Sequence, residues 1–418
     1  MSAASAVAGL RLLVGSYTAT GGGNATGVSF VENGVAATVA VLDDPSFLAV
    51  SGDRVYAVSE TAEGSVSAFR RSGSALEHRW TATAGGNAPC HVQVDPSGAL
   101  VVTNYVSGTV TAVSLAAAES FAASVAASDG VVGARGSAGA VVVPASAIAT
   151  VALPAASGPV VDRQDGPHAH QSVPTPEGTV LVADLGGDTL HEFRVEVSDG
   201  GAGAGAAGAH AGAGAGAGAG AAVSLVPVRV HDVAPGAGPR HMTWFDGDLI
   251  VAGELDGRVH RLRRDDSGVL RLVASVDTFD GPTGESLLSH IEADESGRVT
   301  VAVRGRDVIV VLDAADGGLT VVGSAPCGGA WPRHFARVPG FVLVANERSD
   351  AIAVLPVGDD GVPGRPWRRS PSAPRPASSR CSRGRSGRPG RSGRSGRSGR
   401  SCRSALGRFA ATRSVSAR

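Results

Sequence analysis

The chain has 418 residues, of which 43% are hydrophobic and 4% aromatic, enough for one large domain or two ordinary ones. Its formal net charge of −1 conceals a division, because the stretch 361–418 holds 16 Arg and no acidic residue, which leaves −17 for residues 1–360. Residues 1–360 are acidic enough to repel phosphates, which excludes nucleic-acid binding by the folded part. The basic tail is then the segment suited to anionic partners.

The cysteines and the apolar runs of the chain indicate in which cellular compartment the protein is expected. The four cysteines are Cys90, Cys327, Cys381 and Cys402. They show no metal-ligand spacing such as C-x-x-C, which favours a reducing compartment. The N-terminus lacks the basic region and long apolar run of a signal peptide, and the longest apolar run, about 138–156, is interrupted by Pro144 and Pro154. We therefore expect a cytoplasmic protein without a membrane partner.

One phrase recurs along the chain. It begins with a small residue or Pro, often near a His, and continues as an alternating apolar run, a Gly turn, a second run that ends in a polar residue, and a third run. Copies begin near Pro45, Ala88, Pro167, Pro239, Ser289 and Pro332. The spacings of 43, 79, 72, 50 and 43 residues give a base period typical of a four-stranded propeller blade. With the N-terminal segment as part of another blade, we predict an all-β, seven-bladed β-propeller of four-stranded antiparallel blades over 10–363.

Two low-complexity inserts explain the long spacings. The first is the Ala/Val/Gly/Ser stretch at about 117–163, and the second is the Gly-Ala repeat at about 199–222. The Gly-Ala repeat cannot build a core and should form a flexible loop. No stretch shows convincing helical amphipathicity, so we predict no helix.

The tail at 364–418 departs from the repeat. It is rich in Arg, Ser and Gly, with almost no apolar periodicity, which predicts disorder. One interpretation is a basic arm for RNA or anionic surfaces. The other is a frameshift product, since GC-rich DNA read out of frame yields Arg, Gly, Ser, Pro and Ala. A frameshift would leave the propeller without the C-terminal strand that commonly closes such folds.

The repeat predicts where polar residues meet. In an antiparallel hairpin, the start of the first strand and the end of the second lie at the same end of the blade. Because first strands line a propeller's channel, these places converge on one mouth. First-strand starts supply His91, His168, His170, Arg240, His241, His290, Arg333 and His334. Second-strand ends supply Glu60, Asn104, Asp184, Glu254, Arg304, Asn346 and Glu347.

Several phrases resemble one family. They are LLVGSYT, PSFLAV, GNAPCHVQVDPSG, HAHQSVPTPEG, GPRHMTW, VAGELDG, VAVRGRD and WPRHFA. Over about 10–358 they are similar to the lactonase family of seven-bladed propellers, which includes propeller-type 6-phosphogluconolactonases and the fungal carboxymuconate-lactonizing enzyme. The resemblance implies a lactone or sugar-acid ligand. It also implies a site made of a channel histidine (His168 or His170), Arg240, Glu254 and Arg304.

These residue types suit lactone hydrolysis. A lactone carbonyl gains negative charge when water attacks it, and Arg240 and Arg304 are suited to stabilise that oxyanion or to hold a carboxylate or phosphate. His170, His241 or Glu254 is suited to act as general base on the water. Further substrate contacts are expected from His241, Arg333, His334, Asn104, Asp184, Asn346 and Glu347.

The same residues could instead have purely structural roles. A histidine at a strand start often only bonds a neighbouring loop, and the arginines might pair solely with Glu254 and Asp184 in an inter-blade network. Histidines and carboxylates are present, but no fixed ligand spacing supports a metal site, and nothing indicates a cofactor. We therefore expect neither.

The leading hypothesis is a cytoplasmic lactonase of carbohydrate metabolism that opens 6-phosphogluconolactone, a pentose phosphate pathway step, by water attack without a covalent intermediate. The alternatives are a non-catalytic propeller that binds a metabolite or protein, and a cycloisomerase acting on an unsaturated dicarboxylic acid.

Overall fold

The computed structural model describes residues 9–127, 141–198 and 222–366, together with the backbone of a strand at 409–412. Seven antiparallel sheets make up the fold; six are meanders of consecutive strands, and the first also includes a strand from the C-terminal tail. These sheets are the blades of the predicted seven-bladed propeller, which is thereby confirmed.

The blades take the chain in order. Blade 1 contains β1 (Arg11–Ser16), β2 (Gly27–Glu32) and β3 (Val35–Val41), and blade 2 contains β4 (Leu48–Ser51), β5 (Arg54–Ser59), β6 (Ser65–Ser72) and β7 (Ala75–Thr83). Blade 3 contains β8 (Pro89–Val94), β9 (Ala99–Asn104), β10 (Thr109–Ser114) and β11 (Ile148–Ala152). Blade 4 contains β12 (Ala169–Pro174), β13 (Val180–Asp184), β14 (Thr189–Val197) and β15 (Val223–Asp232).

The last three blades follow the same plan. Blade 5 contains β16 (Pro239–Phe245), β17 (Asp248–Gly253), β18 (Arg258–Arg264) and β19 (Leu270–Asp277). Blade 6 contains β20 (Leu287–Ala293), β21 (Arg298–Arg304), β22 (Val308–Asp313) and β23 (Thr320–Pro326). Blade 7 contains β24 (Pro332–Val338), β25 (Phe341–Asn346) and β26 (Ala351–Pro356), and has three strands among the described residues.

The ring of blades closes through a strand from the C-terminal tail. This strand, β27 (Phe409–Thr412), pairs antiparallel with β1 and takes the innermost place in blade 1. It contacts the first strands of blades 7 and 2, and the other first strands contact one another in turn. The sequence left open whether the chain has a closing strand, and this strand lies within the tail that was predicted to be disordered. Positions 367–408 and 413–418 of the tail are outside the described residues.

The apolar core lies between neighbouring blades. Alternate residues of the inner strands point into the gap between two sheets, as the period of two requires. Val58 and Trp80 of blade 2 thus share a buried cluster with Leu100 of blade 3, and similar clusters fill the next gaps. Each blade is consequently held by two neighbours, which fixes the channel that the first strands surround.

One helix corrects the prediction that there is none. Helix α1 (Leu115–Ala127) follows β10 and buries Ala118, Ala122 and Val125, of which the two alanines pack against the core between blades 2 and 3. The spacing of four and three residues is helical, but small Ala side chains give little contrast between the two faces. No helix in the described ranges is long and apolar enough to span a bilayer.

The first insert is shorter than predicted. Strand β11 lies within 117–163 and forms the outer strand of blade 3 by pairing with β10. The Gly-Ala tract falls almost wholly at 199–221, which lies outside the described residues.

Candidate active site

Five inner strands carry a β-bulge at the same place. In blades 3 to 7 the register of the first two strands shifts where the channel histidine stands. The histidines at these bulges are His91, His170, His241, His290 and His334, and Phe47 is their counterpart in blade 2. All six rings are buried and gather around the channel, with His241 within 6.5 Å of the other five, centroid to centroid.

The bulges let neighbouring residues face the same space. In a regular strand Arg240 and His241 would point to opposite sides of the sheet, yet both line one narrow cleft at the channel mouth, as do Arg333 and His334. Bulges commonly re-aim side chains in this way beside functional sites. The other residues lining the cleft are Ser46, Phe47, Glu60 and Cys90.

A buried carboxylate with three arginines forms the charged centre. Glu254 lies at the end of the second strand of blade 5, and its Oε2 is 2.8 Å from both Arg240 Nε and Arg304 Nη2. Its Oε1 accepts a hydrogen bond of 2.6 Å from Arg163 Nη2. These arginines come from blades 5 and 6 and from the connection between blades 3 and 4, so the centre joins separate parts of the propeller.

The electrostatics of this centre favour an anionic ligand. Burial favours protonated Glu254, but Arg304, Arg240 and Arg163 outweigh it and hold the pKa of Glu254 well below 4.5. Burial and the neighbouring Arg304 lower the pKa of Arg240 to about 9, because one carboxylate does not balance three guanidinium groups. A bound carboxylate, phosphate or developing oxyanion would supply the missing negative charge.

The channel histidines are neutral bases. Burial lowers the pKa of His91 and of His290 to about 3, and it holds the pKa values of His170, His241 and His334 well below 6.5. A neutral imidazole can accept a proton, as a general base must. Among the described residues, no three His, Cys, Asp or Glu side chains are grouped to hold a metal ion.

The comparison with known families decides the chain's membership. The sequence model of the family described as "Lactonase, 7-bladed beta-propeller" matches residues 11–377. The chain belongs to this lactonase family.

Two curated relatives are named 6-phosphogluconolactonase. The Bacillus subtilis (strain 168) protein is 28% identical over 335 residues, which cover 76% of this chain and 81% of the relative. The Formosa agariphila protein is 26% identical over 328 residues, which cover 74% and 80%. These relatives support lactone hydrolysis by this lactonase-family chain.

Solved structures share the fold. A candidate 6-phosphogluconolactonase from Bacteroides fragilis NCTC 9343 is 25% identical, with a TM-score of 0.64 over 85% of this chain and 93% of its own. The periplasmic gluconolactonase of Pseudomonas aeruginosa is 22% identical, with a TM-score of 0.61 over 86% and 95%, and shows the fold alone.

His168 and His170, both predicted as catalytic, occupy different environments in the lactonase. The Nδ1 of His168 is 2.9 Å from the Tyr105 carbonyl oxygen, its Nε2 is 3.1 Å from Asp165 Oδ1, and its ring stacks on Tyr105. Both nitrogens of the His168 ring therefore already have protein partners, whereas the resemblance left the channel histidine open between His168 and His170. His170 lies in the channel, 5.4 Å from His241 between ring centroids.

Three residues predicted to bind substrate have structural roles instead. Asn104 and Asn346 each pair with the proline that begins the first strand of the same blade. In blade 5 the residue in this position is Gly253, so the two asparagines are equivalent to Gly253 and not to Glu254, which follows it. Neighbouring strand residues face opposite sides, so these side chains are fully buried away from the mouth and bond the main chain at Ala84 and Cys327. Asp184 likewise accepts the N–H groups of His168 and Gly186.

We expect Asn104→Ala to lower the free energy of unfolding by about 0.5–1.5 kcal/mol, because the buried Ala84 carbonyl would lose one of its two side-chain donors and keep the Thr111 hydroxyl. The KM for the substrate should not change, since the side chain does not line the cleft. Denaturant unfolding checks the first effect and steady-state kinetics the second; a raised KM with unchanged stability would restore the substrate-binding role.

The remaining predicted contacts lie at the cleft. Arg333 lines it, with Nη1 3.5 Å from the buried carboxylate of Glu347 and its guanidinium 5.9 Å from the Tyr17 ring centre. His334 also lines the cleft and stacks on His290 at 3.8 Å between centroids. Arg333, His334 and Glu347 thus lie close together, and their contact with substrate stays a prediction.

Sequence reasoning missed several residues of the lactonase site. Arg163 lies in the segment interpreted as low-complexity insert, where no repeat phrase marks it. Tyr105 follows Asn104 and receives a 3.4 Å hydrogen bond from Arg163. Tyr17 donates a hydrogen bond to Glu60 across the opening. Glu60 was already placed at the mouth as a second-strand end, and the same signal was usable for Tyr105, whereas nothing local pointed to Arg163.

Proposed function

We propose that the protein hydrolyses 6-phosphogluconolactone to 6-phosphogluconate in the channel cleft. The observation that carries the proposal is the Glu254 centre, in which Arg163, Arg240 and Arg304 outnumber a single buried carboxylate. Its excess positive charge suits a substrate that is anionic and becomes more so during reaction. The relatives named 6-phosphogluconolactonase support the same substrate.

The two arginines of the cleft have complementary roles in this proposal. Arg240 belongs to the Glu254 centre and stabilises the carbonyl oxygen as it gains charge. Arg333 lines the same cleft and holds the phosphate at the far end of the substrate. Glu254 orients the guanidinium groups, because both of its carboxylate oxygens are already engaged by arginines.

Hydrolysis then needs a base and a water. A neutral imidazole beside Arg240, either His170 or His241, takes a proton from the attacking water as its oxygen bonds to the carbonyl carbon. The bond from that carbon to the ring oxygen breaks, and the ring oxygen takes the proton back from the imidazolium. The product acid then ionises. With this substrate the enzyme would work in the cytoplasm, in the pentose phosphate pathway.

We expect the full chain to accelerate opening of freshly made 6-phosphogluconolactone beyond the spontaneous rate. Gluconolactone should react with a lower kcat/KM, by about 10–100-fold, because Arg333 then has no phosphate partner, and hydrogen bonds to charged groups are worth about 1.5–3 kcal/mol. Acid release at constant pH follows both reactions, and the rate without enzyme is subtracted.

The rates with the two lactones distinguish the proposed reaction from the alternatives. Equal kcat/KM for the two lactones would contradict the phosphate role of Arg333 and leave lactone hydrolysis standing. No acceleration of either, from folded and β-rich protein, would contradict the proposed reaction and favour a propeller that only binds a metabolite.

A further inference from the structure

A hydrogen-bonded chain of three side chains runs from the cleft into the channel wall. His241 Nδ1 lies 2.9 Å from His290 Nδ1, and His290 Nε2 lies 3.1 Å from Glu292 Oε1. His241 and His290 are buried, whereas the Glu292 side chain is 26% exposed. One end of the chain therefore faces the cleft and the other reaches solvent.

The carboxylate fixes the tautomers of both rings. A carboxylate only accepts, so the proton of neutral His290 is on Nε2, and its Nδ1 carries the lone pair. His241 must then donate through Nδ1–H, which leaves the lone pair on its Nε2. That Nε2 makes no hydrogen bond to a described residue, and His241 lines the cleft beside Arg240.

The surroundings keep this base neutral. The groups that face His241 are Arg240 on its own strand, the Phe47 ring, and other histidines of the inner strands, which are His91, His170, His290 and His334. Glu60, Cys90 and Arg333 line the same cleft. Burial, the Arg240 charge and the neighbouring imidazoles all disfavour a second proton on His241. A proton taken during catalysis is consequently tolerable only if its charge is compensated.

We propose that His241 is the general base of the lactonase reaction, and that His290 and Glu292 are positioning residues that fix its tautomer and compensate its transient charge. The proposal rests on the proposed function. When water attacks, its proton goes to His241 Nε2. The imidazolium charge is shared along the Nδ1–H contact towards His290 and Glu292, and the proton returns to the ring oxygen as the C–O bond breaks.

His170 lacks such support. Its Nδ1 has a weak contact of 3.9 Å with Cys90 Sγ, and no carboxylate of the described residues forms a hydrogen bond with its ring. The Glu254 carboxylate near it is already committed to three arginines. The second imidazole beside Arg240 therefore suits substrate binding better than proton transfer.

Glu292→Gln tests the chain. A Gln side chain has nearly the same size but no charge, so it cannot compensate an imidazolium, whichever of its amide atoms faces His290 Nε2. We expect kcat to fall about 10²-fold, with KM little changed, because general-base assistance contributes about 10²–10⁴-fold. The acid limb of kcat/KM should also move to lower pH, since the carboxylate that stabilises the imidazolium is gone.

Glu295→Gln is the matched control. Glu295 is exposed, stands three residues away, and loses the same charge in its variant. Its kcat and pH profile should equal those of the wild-type chain. Unfolding transitions of both variants establish that the compared enzymes are folded. The proposal would be overturned if folded Glu292→Gln kept the wild-type kcat and the wild-type acid limb of kcat/KM. It would also be overturned if Glu295→Gln lost as much kcat as Glu292→Gln.

Nitrogen NMR of ¹⁵N-histidine-labelled full-length protein gives a readout that needs no turnover. His241→Asn and His290→Asn spectra assign the two rings. The expected state of the wild-type chain is Nδ1–H on His241 and Nε2–H on His290. Finding Nε2–H on wild-type His241 would overturn the relay even in an active enzyme. If the wild-type chain proves inactive on lactones, the proposed function fails, whereas the expected tautomers would still establish the chain of contacts.

Discussion

Arg240→Ala is expected to lower kcat/KM for the lactone by about 10²–10³-fold, the loss typical when one oxyanion donor is removed. Arg240 is buried in the cleft wall and takes part in the Glu254 centre. Its loss removes the guanidinium nearest to His241 along the chain and reduces the site's excess positive charge. The largest part of the effect should fall on kcat, because the oxyanion exists only in the transition state.

Steady-state kinetics on 6-phosphogluconolactone measure this effect. Arg240→Lys keeps the charge but not the fork of donors, so it should fall between Ala and wild type. Arg271→Ala, which removes an exposed arginine paired with Asp265, should behave as wild type. Wild-type turnover in Arg240→Ala would contradict the assignment of the whole charged centre.

Glu254→Ala is expected to destabilise the fold by about 3–5 kcal/mol, the usual cost of leaving buried charges without their partner. Three guanidinium groups would lose the carboxylate that lies 2.6 to 2.8 Å from them. Activity should fall with stability, because the Oε2 atom of Glu254 contacts both Arg240 and Arg304 and orients them together.

Denaturant unfolding of the full chain measures the loss. Glu32→Ala breaks an exposed pair with Arg11 and should cost less than about 1 kcal/mol. Adding Arg163→Gln to Glu254→Ala should recover part of the stability, because one uncompensated cation is removed. If both glutamate variants lost the same small amount, the buried centre would not hold the propeller together.

Much of the site was predictable from the repeat. Arg240, Glu254 and Arg304 stand at strand ends that a hairpin must bring to one mouth, and the structure joins them. Asn104, placed by the same rule, was misassigned by one residue, since Tyr105 beside it holds the position equivalent to Glu254. Strand ends read from sequence are uncertain by more than one residue, and one residue reverses the side on which a side chain lies.

The sequence by itself determined the blades, because apolar alternation and Gly turns such as the one at Gly98 are local features that need no distant partner. Only the tertiary structure decided the bulges that turn Arg240 and His241 into one cleft, the reach of Arg163 to Glu254, and the pairing of His241 with His290. Each of these joins residues from different blades or depends on a register shift between strands. Such contacts exist only when the ring of blades has closed, and no local pattern in the chain encodes them.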